Sequence, residues 1–303
     1  MGRSEYELQP ASHLLFERRP LVRDCADRRP GDNEVHGRRS VLVVGNQPPY
    51  HLTRREELAL PRMEAPALTI TSDPYNSIAV FGSSGPDWAI AFCAQADGEN
   101  ESEAHTRLQQ ISLTATGSTI SLTGPGLYEN QHRRGDLVVE GPTNAAVVVH
   151  GSYTSVDVRD MAAPVRIAAT HARARILGTT GQLDVTAGVI DFAGSCGRVT
   201  LSAEAEINLK MTTKSFDGTL SAWAQRPVRM LVPPGFTTPI EVVVRHAEDF
   251  VNRTEFSSDV KQKRLGELYV FTLGVDDGGQ NQAVLHLRSD ESTVVIDTAS
   301  GKP

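Results

Sequence analysis

The chain has 303 residues, 39% of them hydrophobic and 22% charged, which is enough apolar material for a real core and excludes a wholly disordered protein. Its formal net charge of −7 argues against nucleic acid as a partner, because phosphate binding needs a cationic surface. No apolar run approaches the roughly 20 residues of a membrane-spanning helix; runs such as Val41–Val44 and Ala145–Val149 are strand-sized, so no membrane insertion is expected.

The opening Met-Gly-Arg-Ser-Glu-Tyr-Glu-Leu has no cationic segment followed by an apolar stretch. As written the sequence carries no secretory signal and is expected in the cytoplasm; a cell-surface or exported location would need a different start or export route. Residues 1–63 read as a poorly ordered, arginine-rich leader with at most one strand, Ser40–Gly45. Up to residue 62 it holds eleven arginines and no lysine, offset by nine acidic residues, and prolines at 10, 20, 30, 48 and 49 interrupt it. The three cysteines, Cys25, Cys93 and Cys196, are far apart and form no Cys-x-x-Cys. That spacing predicts three reduced thiols, with neither a zinc ribbon nor a disulfide scaffold.

Short strands with period-two alternation begin near residue 64: Ala67–Ser72, Ser77–Gly82 and Trp88–Ala94, separated by turns rich in Asp, Pro, Gly and Asn. The segment Asn100–Gln110 is the one convincing helix, with Ser102 as its expected cap and acidic residues at its start, where the helix dipole favours them. Strands resume at Ile111–Ala115 and Thr119–Thr123.

The strongest signal runs from about 136 to 211. Apolar-x-apolar triplets recur as Val147/Val149, Val156/Val158, Val165/Ile167, Ala174/Ile176 and Leu183/Val185, each nine residues after the last. They continue as Ile190/Phe192, Val199/Leu201 and Ile207/Leu209 at steps of seven, nine and eight. A strand-plus-turn unit repeated this way predicts a β-solenoid, in which no unit is stable alone and stacking supplies the core. The residues between the inward pairs point outward: Val148, Asp157, Arg166, Arg175, Asp184, Asp191, Thr200 and Asn208. Stacking each strand on the next in sequence would set Arg166 against Arg175 and Asp184 against Asp191. Two strands per rung, about eighteen residues, instead pairs Asp157 with Arg175, Arg166 with Asp184 and Arg175 with Asp191. Every contact then becomes attractive, which favours the two-strand rung. Beyond 211 the repeat loosens into Arg226–Val232 with its Pro-Pro-Gly turn, Pro239–Arg245, a polar insertion at 246–266, and three closing strands at Glu267–Thr272, Ala283–Arg288 and Thr293–Asp297. Atypical final strands suit a less regular C-terminal cap, so 64–300 is expected to form a single domain.

Taken together, residues 64–298 resemble the bacterial β-strand-repeat, adhesin-like domain family of unknown function, related to candidate autotransporter-adhesin head domains. The likeness rests on Leu68-Thr-Ile-Thr-Ser, Ile78-Ala-Val-Phe-Gly, the acidic helix ending in Leu108 before Ile111-Ser-Leu, Leu231-Val-Pro-Pro-Gly-Phe, and Leu285-His-Leu-Arg-Ser-Asp-Glu-Ser-Thr-Val-Val-Ile. Gly is usual in that family where Ser289-Asp-Glu-Ser stands here. The resemblance implies an all-β, right-handed β-helix (β-solenoid) and supplies no catalytic residues.

Nor do the residues themselves offer catalytic, cofactor-binding or metal-binding positions. Gly82-Ser-Ser-Gly and Gly194-Ser-Cys-Gly lack the spacing of a hydrolase nucleophile elbow and read, like Gly178-Thr-Thr-Gly, as turns. No P-loop occurs, and the nine histidines form no ligand pair; His150 and His171 are read as exposed turn residues. Asp276-Asp-Gly-Gly lacks the tandem of a calcium β-roll and counts as a tight turn. Asn100-Glu-Ser and Asn252-Arg-Thr match glycosylation sequons, which matter only in a eukaryotic secretory setting. Two functions stand: a non-catalytic solenoid scaffold or adhesin-like domain for an unknown protein or surface partner, as monomer or oligomer, or a β-helix carbohydrate-active enzyme of the lyase or glycosidase type. The enzyme would need paired carboxylates and aromatic platforms. Its one candidate cluster, Asp157/Arg175/Asp191, is already explained as mutual pairing; aromatics are 6% of the chain, and Trp88 and Trp223 stand isolated. No enzyme and no cofactor are therefore expected.

Overall fold

Alternation of apolar and polar residues sets the strands, and the computed structural model describes residues 39–44, 50–124, 133–254, 260–274 and 285–299. All of these lie in one unit, Glu34–Pro303. Most of the expected leader, Cys25 and the Asp276-Asp-Gly-Gly turn fall outside the described residues. In chain order the strands are β1 (Arg39–Val44), β2 (Tyr50–Leu60), β3 (Ala67–Ser72), β4 (Ser77–Ser83) and β5 (Trp88–Gly98), followed by the helix α1 (Glu101–Gln109). Then come β6 (Ser112–Thr116), β7 (Thr119–Thr123), β8 (Arg133–Pro142), β9 (Ala146–Ser152) and β10 (Ser155–Arg159). The longest strands, β11 (Val165–Leu177) and β12 (Gln182–Gly194), precede β13 (Cys196–Ala203), β14 (Ile207–Met211), β15 (Asp217–Ala224) and β16 (Val228–Val232). The chain closes with β17 (Ile240–Val244), β18 (Phe250–Arg253), β19 (Lys261–Leu265), β20 (Leu268–Leu273), β21 (Leu285–Ser289) and β22 (Val294–Thr298).

The strands line up in two rows. The first runs β6–β7–β3–β9–β11–β12–β13–β15–β21–β17–β20–β19. The second runs β1–β2–β5–β8–β4–β10–β11–β12–β14–β16–β22–β18. β11 and β12 stand in both, first half in one row and second half in the other, and so join them into one open 22-stranded sheet. The fold is all-β with one α-helix among the described residues. Ladders at the centre of each row are parallel; pairing turns antiparallel at both ends of the first row and at the β1 end of the second, while the second row stays parallel to its β18 end. From β9 to the first half of β12 paired neighbours are eighteen residues apart, with Asp157 facing Arg175 and Arg166 facing Asp184, and from there to β14 they are sixteen or seventeen apart. That is the register the charge alternation requires.

Each inward residue of the repeat, from Val147 to Leu209, is at most 2% exposed, and together they form one cluster with the inward residues of both rows. A two-strand unit buries four such side chains, about 6–12 kcal/mol at ~1.5–3 kcal/mol each. Ordering the backbone of its eighteen or so residues costs more, at ~1–2 kcal/mol per residue. A single unit therefore cannot stand, and stability comes from stacking.

Several expectations need correction. Residues 50–60, read as leader, are an eleven-residue strand paired along its whole length with β5, and Leu52 is fully buried. With β1 beside it, the described residues before 64 hold two strands, the first of them starting at Arg39. The run Arg54-Arg-Glu-Glu looks solvated, but Arg54 meets Glu56 at 3.0 Å, Arg55 meets Glu57 at 2.8 Å, and the Arg54 guanidinium donates to the Ile111 carbonyl. Helix α1 is capped by Asn100, whose Oδ1 accepts from the Glu103 amide at 2.9 Å, two residues earlier than the Ser102 cap the sequence suggests. The polar insertion 246–266 contributes β18 to the second row and β19 to the first, because backbone pairing tolerates polar side chains on an outer or edge strand. Cys93 is disulfide-bonded, against the expectation of three reduced thiols, and Cys196 is free. Sequence spacing reports only close cysteine pairs of the Cys-x-x-Cys kind, and Cys93 stands in none.

Candidate binding surface

The outward residues of the repeat separate by row. On the first, Arg166 and Asp184 meet at 3.2 Å with side chains 65% and 44% exposed, a solvated pair. On the second, Asp157, Arg175, Asp191 and Asn208 occupy one level on adjacent strands, and Asp157, Asp191 and Asn208 are buried despite pointing outward. Asp157 accepts two hydrogen bonds from Arg159, at 2.9 and 2.5 Å, and that guanidinium also lies over the Phe81 ring. Its bonds to Asp157 raise the Arg159 pKa against the lowering effect of burial. Asp191 accepts from the Asn208 amide at 3.0 Å and meets Arg173 at 3.3 Å. These carboxylates are held by cations and an amide instead of facing one another, the arrangement a charged ladder needs and not that of an acid–base pair. Among the described residues, no three His, Cys, Asp or Glu side chains gather as a metal cage.

A different set of residues converges at the corner where the chain passes from the first row to the second. Tyr75 sits between β3 and β4, Tyr153 between β9 and β10, and His171 at the bulge inside β11. Parallel registry places these corners on successive levels, and backbone bonds fix it: the Tyr75 amide donates to the Tyr153 carbonyl at 3.2 Å, and the Tyr153 amide to the Thr170 carbonyl at 2.9 Å. The rings consequently stack. Centroids of Tyr75 and Tyr153 are 5.6 Å apart with planes at 30°, and those of Tyr153 and His171 are 5.0 Å apart at 39°. Glu204, at the corner between β13 and β14, reaches back to His171, with Oε2 at 2.7 Å from Nδ1 and accepting from the His171 amide at 3.3 Å.

All three ring-bearing residues have left-handed backbone, with φ of 68°, 54° and 57° for Tyr75, Tyr153 and His171. That conformation costs an L-residue roughly 1–2 kcal/mol each. The turn after β7 meets the same demand with Gly124, at φ 69°. The ring stack thus sits on the corner at a conformational cost that glycine avoids. It is also open to solvent: Tyr153 is 41% exposed although rings flank it on both sides, and the His171 side chain is 55% exposed.

Sequence reasoning placed His171 as an exposed turn residue but did not connect it to the tyrosines. Tyr153 and His171 are one eighteen-residue rung apart, a usable signal; Tyr75 lies before the helix and carries no periodic marker. His150, read as a turn residue, is an exposed position within β9. The Gly82 and Gly194 motifs lie at or near strand ends, and neither brings its serine to a histidine in the hydrogen bonds of the described residues.

No protein-family model matches the sequence, and no curated protein matches it. Among solved structures the chain is similar to a candidate cell adhesion protein from Clostridium sporogenes, with 7% identity over 81% of this chain and 98% of that one and a TM-score of 0.33. It is similar as well to a candidate adhesin from Bacteroides fragilis, with 8% identity over 81% and 97% of the two chains and a TM-score of 0.24. A candidate adhesin from Parabacteroides merdae gives 9% identity over 80% and 95% and a TM-score of 0.28.

Proposed function

We propose that this domain is a β-solenoid serving as a non-catalytic binding or scaffold module of the adhesin-like kind, with a protein or surface partner. The observation that carries the reading is the division of labour on its outer side. Charged groups of the repeat are paired with one another, as Asp157 with Arg159 and Arg166 with Asp184, while the aromatic corner stays open to solvent. Right-handed coiling is the expected hand for parallel strands joined this way. An adhesin-like role entails export, which cell fractionation tests directly.

The function is tested by immobilising the full-length chain and measuring retention of whole bacterial cells and of mucin, alongside release of reducing sugar from a polysaccharide panel. Saturable retention without turnover is the expected result. Turnover lost on Asp157→Asn or Asp191→Asn would replace this reading with the β-helix enzyme.

A further inference from the structure

We infer that the corner strip Tyr75–Tyr153–His171–Glu204 is a binding site for a neutral pyranose polysaccharide. The inference rests on the binding-module reading and names the ligand class of its surface. Three observations carry it. Tyr153 and His171 are kept in solvent, and Tyr75 half-buried, at positions where the backbone itself would favour glycine, so forming the corner is not what requires these rings. With Tyr153 flanked on both sides and centroids 5.6 and 5.0 Å apart, the tilted planes form a ridge that presents ring edges and the uncovered part of each face to the C–H groups of a sugar. Beside the rings, the phenol hydroxyls, the imidazole and the Glu204 carboxylate offer donors and acceptors, as a polyhydroxylated ligand demands.

Shape and charge narrow the ligand further. The strip runs across the strands, one ring per level at about 4.8 Å spacing, which suits a linear chain more than a single sugar. Glu204 stands at one end of it, and at the other the exposed Asp73, two residues before Tyr75, accepts from the Gly124 amide at 2.9 Å, so carboxylates at both ends oppose a polyanionic chain. The His171–Glu204 contact fixes the imidazole plane at one end of the ridge, leaving the two tyrosines as the main contact area.

The test is native affinity electrophoresis of the full-length chain in gels cast with hydroxyethyl cellulose, mixed-linkage β-glucan or galactomannan, and with polygalacturonate for comparison. A neutral polysaccharide should retard the wild type; Tyr153→Phe should keep the retardation, and Tyr153→Gly should weaken binding by about tenfold or more. Glycine is unstrained at φ 54°, so this variant keeps its fold, checked by thermal melting. The inference falls if no neutral polysaccharide retards the wild type, if polygalacturonate alone does so, or if Tyr153→Gly binds as the wild type does. Retention of cells or mucin without any polysaccharide binding would overturn the sugar inference and leave the binding-module reading standing; absence of both would overturn both.

Discussion

Ile176 tests the stacked core most directly. It is fully buried on β11, with Val158 of β10 on one side and Phe192 of β12 on the other. Ile176→Ala removes three carbons, worth about 2.4 kcal/mol at ~0.8 kcal/mol each. A cavity term adds to this, because the neighbours are held by their own ladders and cannot close the gap. The expected loss is about 3–4 kcal/mol, with Ile176→Val near 1 kcal/mol. Urea unfolding followed by far-UV circular dichroism measures both. In a stacked array the damage is local, so hydrogen exchange should rise at Val156–Val158 and Ile190–Phe192 more than at Val228–Val232. An Ile176→Ala loss below about 1 kcal/mol, or exchange rising uniformly along the chain, would refute the reasoning.

Three further outcomes are expected. A Cβ at Gly141 would sit 1.9 Å from Trp88 Cε3, and Trp88 is fully buried with its Nε1 donating to the Ala65 carbonyl, so Gly141→Ala should cost at least about 1–3 kcal/mol and red-shift Trp88 emission. A double-mutant cycle on Arg166 and Asp184 should yield only about 0.2–1 kcal/mol, falling with added salt, because both side chains are solvated. Burial pushes the Asp290 carboxyl up, but hydrogen bonds from Arg288 and Trp223 and the charges of Arg288 and Arg245 hold it below the usual carboxylate range. A carboxyl lowered on folding stabilises fully above its unfolded value and loses that contribution as pH falls through the folded one. The Trp223 contribution to emission should therefore change in that acid range and be flat in Asp290→Asn.

The repeat was legible because its two constraints are local: inward residues must be apolar, and outward charges must alternate in sign between rungs. From Val147 to Leu209 those constraints recur at a nearly constant interval, so both burial and register could be read. β2 escaped because its Arg-Arg-Glu-Glu run satisfies itself by pairing along the strand and with the Ile111 carbonyl, leaving Leu52 as its one fully buried side chain. β18 and β19 escaped for a related reason: pairing at the periphery needs backbone groups, not apolar side chains. Outward burial of Asp157 and Asp191 could not be read either, since alternation reports which way a side chain points but not what lies over it. The aromatic corner depends on φ and on stacking between residues as distant as Tyr75 and Tyr153, and neither is written in a local pattern.

The direction of the last strands bears on whether such an array can grow without limit. A row of parallel strands ending in another of the same kind would offer an incoming copy the template its own strands use, and addition could repeat into a fibre. Here the first row reverses at β20 and finishes in β19, whose Lys-Gln-Lys-Arg-Leu is exposed throughout and whose Arg264 turns back over Tyr269. An arriving strand would meet a line of positive charge in place of apolar side chains to bury. Addition of a strand beyond β19 is thereby opposed by charge.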